Sequence, residues 1–478
     1  MERILKGYEP EKLYWYFEEL TRIPRGSGNE KAVADFICGE AEKDGLWYYR
    51  DQLFNVLVRI PGCGGLENEA PVILQGHTDV VCEKNSDVIH DFTKDPVDMY
   101  VEDGWLKTRG TTLGADNGTA CAIMLMMMAQ KGGKHPPLEC LFTAQEETGM
   151  GGARGFDYSK IKGRTLINMD SGSRVRVTVS CAGAEYTKVT FSCQKTPAPG
   201  TALNVSLTGL AGGHSGIGIN RGLGNSILLL ARLLSTAKVK VPFRLSSFNG
   251  GNKANAIPRE AFAQVVTEDP EGFKAEIERI EKDLRRELIE ADKDMTLRVE
   301  EAESDGAFSR EKTDDILFFL ELAPNGPIAF VPTDRSFVET SSNVGVIRTE
   351  DDKVVVTVMP RSSLESRMDE AAHRLDLLAS RTGAVIEHND RHPGWEYAPT
   401  SRLRDVHAAL YKELTGEDVT FKAVHGGLEC GIICTALGGA DAIAMGTHSQ
   451  GAHTPAEKLD IADLAAAYDY LNKLLARL

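Results

Sequence analysis

At 478 residues, with 42% hydrophobic and 26% charged side chains, the chain has the composition of an ordinary globular protein and the length for two cores rather than one. Acidic residues outnumber basic ones 70 to 54, a formal charge of -16 that repels nucleic-acid backbones and anionic lipid surfaces and argues against both as partners. Met1 to Pro10 lacks the apolar run of a secretory signal, and the longest apolar stretch, Cys121 to Ala129, is about half a membrane span. The nine cysteines show no framework spacing and read as reduced thiols, so a cytosolic location is expected.

In the first third, short β-branched runs alternate with helical patterns. Asn55 to Ile60 and Pro71 to Gln75 read as strands, Gly118 to Gln130 as a buried helix, and Leu138 to Ala144 as another strand. His77 and Asp79 stand two apart at the end of the second run, where alternation puts both side chains on one face. A carboxylate beside a histidine is the usual device for orienting a ligating imidazole; a loop histidine next to a capping aspartate is the plainer reading. Asp116 sits in a glycine-rich turn just before the buried helix, where it could cap that helix or bridge two cations.

Glu146 and Glu147 follow the third run. Adjacent residues of a strand point oppositely, so both carboxylates can face one cavity only where the chain bends past the strand's end. One would then ligate while the other takes a proton from an activated water; two solvated loop glutamates are the alternative. Asp170 closes the run Thr165 to Asp170, and His453 lies in a loop after the apolar run Ala440 to Met445. All five candidate ligands, His77, Asp116, Glu147, Asp170 and His453, thus fall at the carboxyl ends of expected strands, where open α/β sheets place their ligand sites. Two imidazoles and three carboxylates suit zinc, with manganese or cobalt as substitutes.

The fold class expected is α/β: a catalytic domain, residues 1–184 and 395–478, with a mixed sheet flanked by helices, and an inserted α+β lid, residues 185–394. The insert contains an amphipathic helix marked by Phe273, Ile277, Ile280, Leu284 and Leu288. Strands at Asn343 to Ile347 and Lys353 to Val358, a helix from Met368 to Ser380 and a strand at Ala384 to His388 then restate the same plan, which suggests an internal duplication. The remaining histidines, among them His90, His135, His373, His388, His392 and His407, have no ligand spacing and are expected to be structural or on the surface, while His425 and His448 stay unassigned.

The motifs Gln-Gly-His-Thr-Asp at 75 to 79, Gly-Ala-Asp-Asn-Gly at 114 to 118 and Asn255-Ala-Ile-Pro-Arg-Glu260 resemble, in order and spacing, the zinc metallopeptidase family of aminoacylases, carboxypeptidase G and carnosinases. The likeness is greatest to its bacterial aminoacyl-histidine dipeptidase branch. The resemblance implies two zinc ions bridged by Asp116, with His77 and Asp170 on one and Glu147 and His453 on the other. It implies Asp79 as the orienting residue, Glu146 as general base and a cis peptide bond after Asp116. In the insert it implies His214, in Gly212-Gly-His-Ser-Gly216, as the group polarising the scissile carbonyl, with Asn255 and Arg361 holding substrate. Glu429 would receive the substrate's amino group.

One departure bears on substrate choice: after Asp170 that branch tends to continue with acidic residues, whereas here Ser171-Gly-Ser-Arg follows. The activity expected is hydrolysis of dipeptides, Xaa-His or broader, by a homodimer. An N-acyl amino acid deacylase or a broader aminopeptidase shares the chemistry. A non-catalytic peptide binder would need neither Glu146 nor Asp79, and a phosphoesterase would need more basic residues around the motifs.

Overall fold

The computed structural model describes residues 3–288, 290–331 and 334–478. The chain divides into two compact units. One holds everything up to Ser180 together with Tyr397–Ala423 and Leu428–Leu478, and the other is Cys181–Glu396 with Val424–Gly427. The sequence does not announce that last short stretch as part of the insert. It joins through backbone, the Val424 carbonyl accepting from Ala182 N at 3.1 Å.

The first unit is built on an eight-stranded mixed sheet. Its order is Trp47–Arg50, Val56–Ile60, Leu138–Thr143, Val72–His77, Thr165–Asn168, Asp441–Ala444, Arg176–Cys181 and Thr420–Val424. The four middle strands are mutually parallel and the flanking pairs with assigned register antiparallel. Leu138–Thr143 and Val72–His77 are buried along their whole length, as a sheet covered on both faces requires.

The helix Ala115–Ala129, apolar nearly all round, packs on Val72–His77 and is covered in turn by the helices Glu11–Arg22 and Lys31–Lys43. Gly76 lets it approach the strand, since a Cβ there would stand 2.6 Å from that of Ala120. Among the described residues no helix is long and apolar enough to cross a membrane. None of the nine cysteines forms a disulfide.

The second unit is an eleven-stranded sheet with a row of four helices. Its repeat is topological. Thr201–Thr208, helix Ser226–Lys238, Phe243–Gly250, Ala261–Thr267, helix Pro270–Glu287 and Thr296–Ala302 form a βαββαβ unit whose fourth strand lies beside its first. Gly183–Ser192, helix Arg310–Leu322, Val344–Glu350, Lys353–Val358, helix Glu365–Thr382 and Val385–His392 repeat that order. The halves meet edge to edge where Gly250 pairs with Ile347. The second half's first strand precedes the whole first half in the chain, which is why the repeat is faint in sequence.

Candidate metal centre

Four of the five candidate ligands leave the carboxyl ends of the four parallel strands. His77 is the last residue of its strand, Glu147 and Asp170 follow Leu138–Thr143 and Thr165–Asn168, and His453 lies in the loop after Asp441–Ala444. Asp116 comes from elsewhere: it stands in the first turn of the helix Ala115–Ala129, at non-helical φ/ψ, and the peptide bond to Asn117 is cis. The expectation that all five candidates end strands therefore holds in position for four, and Asp116 departs from it because it belongs to a helix start.

The structure brings all five together as two triplets sharing Asp116. Donor atoms of His77, Asp116 and Asp170 lie within 4.8 Å of one another, and so do those of Asp116, Glu147 and His453. His77 Nε2 is 3.2 Å from Asp116 Oδ1 and 3.8 Å from Asp170 Oδ1, while His453 Nε2 is 3.3 Å from Asp116 Oδ2 and 3.0 Å from Glu147 Oε1.

Glu146 joins His77 and Glu147 in a third grouping, so the adjacent glutamates do face one place. The bend that allows this is at Gln145, whose φ of 55° lies in the left-handed region, a costly conformation outside glycine.

Asp79, fully buried, does more than attend His77. The His77 Nδ1 lies 3.0 Å from the Asp79 carbonyl oxygen, and the Asp79 carboxylate accepts from Ser27 Oγ at 2.7 Å and from the backbone N–H of Glu146 and Glu147 at 3.0 and 3.1 Å. One side chain therefore fixes both the histidine and the paired glutamates. Burial works against its charge, but the His77 imidazole, Ser27 and the Glu146 amide hold the carboxyl down at about 2.

The electrostatics are those of a cation site. Burial and the neighbouring Asp116 push the Asp170 carboxyl well above its usual range, and burial with Asp170, Glu429 and Glu147 does the same to Glu146. The Asp116 and Glu147 carboxylates beside its Nε2 favour the protonated ring and raise His453 to about 10. Without cations, protonated imidazoles supply the positive charge that the carboxylates demand; divalent ions would supply it while leaving the imidazoles neutral. Glu147 Oε1 is buried without an aligned hydrogen bond although His453 Nε2 is 3.0 Å away, as expected of an oxygen shaped to face an ion. The residues fit a pair of divalent metals.

A cavity of about 230 Å³ opens beside Asp116 and Asp170, with Ser171, Thr447 and Ser449 among its lining residues. The neutral segment after Asp170 thus borders the site directly. A larger cavity of about 480 Å³ in the inserted unit, between Pro199, Phe243 and Arg310, has no grouping of ligating side chains among the described residues, so size does not locate the chemistry here.

The structure takes Glu429 out of a substrate's reach, contrary to expectation. It is wholly buried, its Oε2 accepting from Thr143 Oγ1 at 2.7 Å and from Gln75 Nε2, and burial pushes its carboxyl up to about 7. A short motif shows residue type but not depth. Two buried charges were missed altogether, Arg25 and Glu457, because their partners are backbone atoms of distant segments.

His214, Asn255 and Arg361 belong to the inserted unit. Gly213–His214 pairs with Ala256–Ile257, so the His214 and Asn255 motifs form one small ribbon. His214 Nδ1 accepts from Gly216 N at 3.0 Å and Ile217 N at 3.2 Å, which leaves the proton of the neutral ring on Nε2. Partial desolvation and the Arg361 charge favour that neutral form. Arg361 is buried, its Nε has no partner, and among the described residues no carboxylate pairs with it. The unassigned His425 bonds Ser341 Oγ through Nε2 at 2.7 Å.

Comparison with known proteins settles the family, for the sequence matches Peptidase family M20/M25/M40 over residues 73–477. The chain belongs to that family. The peptidase is 36% identical over 476 residues to the cytosol non-specific dipeptidase of Escherichia coli (strain K12), covering 98% of each chain. It superposes on the aminoacylhistidine dipeptidase of Vibrio alginolyticus with a TM-score of 0.92 at 34% identity, covering 100% of this chain and 98% of that one. The aminopeptidase PepT of Bacillus cereus, 15% identical with a TM-score of 0.56 over 98% of each chain, shares the fold. The family read from the motifs is the one that residues 73–477 match.

Proposed function

We propose that this peptidase is a dinuclear-zinc dipeptidase in which Glu146 moves the proton. The observation that carries the reading is the pair of triplets sharing Asp116, with the Glu146 carboxyl gathered beside them. His77 and Asp170 would hold one ion, Glu147 and His453 the other, and Asp116 both. Ions so held would polarise a peptide carbonyl and bring the pKa of a water near neutrality.

Glu146 takes a proton from the attacking water and returns it to the leaving amine. Its desolvated carboxyl, raised in basicity, suits it to both transfers at neutral pH. Asp79 keeps His77 and the Glu146 backbone in register through the bonds described above. The protonated Nε2 of His214 is the group for the developing oxyanion. The buried, unpaired Arg361 calls for one carboxylate, which the free C-terminus of a short peptide supplies, and Asn255 supports it.

Zinc is preferred on the donor set, with manganese and cobalt able to replace it. A cytosolic location follows from the reduced cysteines and from the likeness to a cytosol dipeptidase. A homodimer is the assembly proposed, with Phe318, Leu322 and Leu377 exposed on helices of the inserted unit.

The test is one panel: metal-free protein restored with zinc, manganese or cobalt and assayed on Xaa-His dipeptides, other dipeptides, tripeptides and N-acetyl amino acids. Metal-dependent cleavage of dipeptides is expected. Turnover of the acetylated compounds alone would replace this reading with a deacylase, and equal turnover of tripeptides with a broader aminopeptidase. Sedimentation at micromolar concentration checks the dimer.

A further inference from the structure

Glu457 is 2% exposed, and among the described residues its carboxylate forms no salt bridge. Four consecutive backbone amides converge on it instead. Leu113 N and Gly114 N donate to Oε2 at 2.7 and 2.9 Å, and Ala115 N and Asp116 N to Oε1 at 2.9 and 3.2 Å. These amides open the helix Ala115–Ala129, whose own N-cap, Gly114, has no side chain to offer. A residue more than 300 positions away does the capping.

Glu457 also belongs to the turn that carries His453. Its own N–H donates to the Thr454 carbonyl at 3.0 Å, and His453 holds a φ of 64°, a left-handed conformation that the turn must maintain. One carboxylate therefore ties the His453 turn to the backbone of Asp116. On the other side of the same loop lies Arg25, 3% exposed, whose Nη2 donates to the Gly114 carbonyl at 2.8 Å and Nη1 to the Thr78 carbonyl at 2.7 Å. Thr78 separates His77 from Asp79. Gly114 is thus gripped through its N–H by Glu457 and through its C=O by Arg25, and three ligand-bearing segments are joined by charge-assisted hydrogen bonds to main chain.

We propose that Glu457 is the positioning residue of the second ion: it sets Asp116 and the His453 turn at a fixed separation, so that its loss empties the Asp116, Glu147 and His453 triplet first. That triplet has two of its three members on the segments Glu457 joins, and the His453 side chain is half exposed. The His77, Asp116 and Asp170 triplet keeps His77, buried and anchored by Asp79, when Glu457 is removed. The inference rests on the dinuclear reading above.

The experiment measures zinc alone, by equilibrium dialysis and calorimetry, on the full chain and on Glu457→Ala and Glu457→Gln. Gln keeps the shape but sets an amide donor against two of the four N–H groups, so it serves if the alanine variant does not fold. The wild-type protein is expected to bind two zinc ions. The variants are expected to keep the first and to bind the second about 10- to 100-fold more weakly, with kcat falling while KM stays within about twofold at subsaturating zinc. Two zinc ions bound with unchanged affinity in a folded variant would overturn the proposal, as would equal weakening of both. A wild-type protein that binds no second zinc would instead overturn the dinuclear reading beneath it.

Discussion

In the unit that carries the ligand cluster, buried polar groups crowd into loops at one edge of a parallel sheet, whereas the inserted unit is a repeated βαββαβ pattern with a continuous apolar core. Backbone conformation divides the same way. Among the described residues six other than glycine have positive φ; of these Gln145, Met150 and His453 flank or are candidate ligands, and only Asp390 lies in the insert. The insert's core is instead aromatic and regular, with Phe243 against Phe273 at 5.4 Å and Phe191 against Phe319 at 5.6 Å. The difference teaches that the first unit gives up local preference to gather charge, which the proposed cations would balance. The second unit follows its hydrophobic pattern almost everywhere.

The sharpest way to separate the units is to remove chemistry without removing structure. Glu146→Gln is expected to lower kcat by about 10²- to 10⁴-fold with zinc content unchanged, checked by metal analysis beside steady-state kinetics. Wild-type turnover in that variant would end its role as base.

Next, Phe273→Ala strikes the insert's core and should cost about 3 to 5 kcal/mol, read from denaturant unfolding. The cluster should retain both zinc ions under native conditions, and loss of metal in step with the destabilisation would break the contrast between the units.

A smaller effect concerns acid. His407 is fully buried, its Nε2 3.0 Å from the Arg174 carbonyl and its Nδ1 3.1 Å from the Tyr470 hydroxyl, and burial holds it down at about 4. Because the unfolded imidazole titrates near 6.5, the unfolded chain binds more protons between these values. The stabilisation is complete above about 6.5 and is lost as pH falls toward 4, on the order of 3 kcal/mol in all. His407→Gln should flatten that limb in melting curves taken across the window.

The least effect is expected from Ser309→Ala. It removes the cap of Arg310–Leu322, where Ser309 Oγ accepts from Lys312 N at 3.0 Å, and should cost about 1 kcal/mol by thermal melting without touching activity.

Where chemistry demanded a residue type at a strand end, the sequence was readable: His77, Glu147, Asp170 and His453 announce themselves by following apolar runs. Asp116 was readable as a turn residue, but whether it capped or bridged depended on His77 and His453 arriving from both sides. The amphipathic helix was legible because its apolar spacing matches the helical period, and the observed Pro270–Glu287 carries it. Arg25 and Glu457 were illegible for a physical reason: each is satisfied by main-chain groups, which every residue has, so no pairing of types betrays them. Glu429 misled because burial is a property of what surrounds a motif.

The insert's way of entering and leaving has a consequence for synthesis. Cys181 and Trp395 exchange backbone hydrogen bonds at 3.1 and 2.9 Å, so the chain departs and returns through one point. All of the inserted unit except Val424–Gly427 has therefore emerged from a ribosome before Asp441–Ala444 exists. That strand belongs in the interior of the other sheet, between Thr165–Asn168 and Arg176–Cys181. The repeat can fold early while the first 180 residues wait, with an open slot in their sheet, for the tail of the chain. His453, the last of the five candidate ligands to be translated, comes just after the strand that closes the slot, so a nascent chain lacks it until that strand has been made.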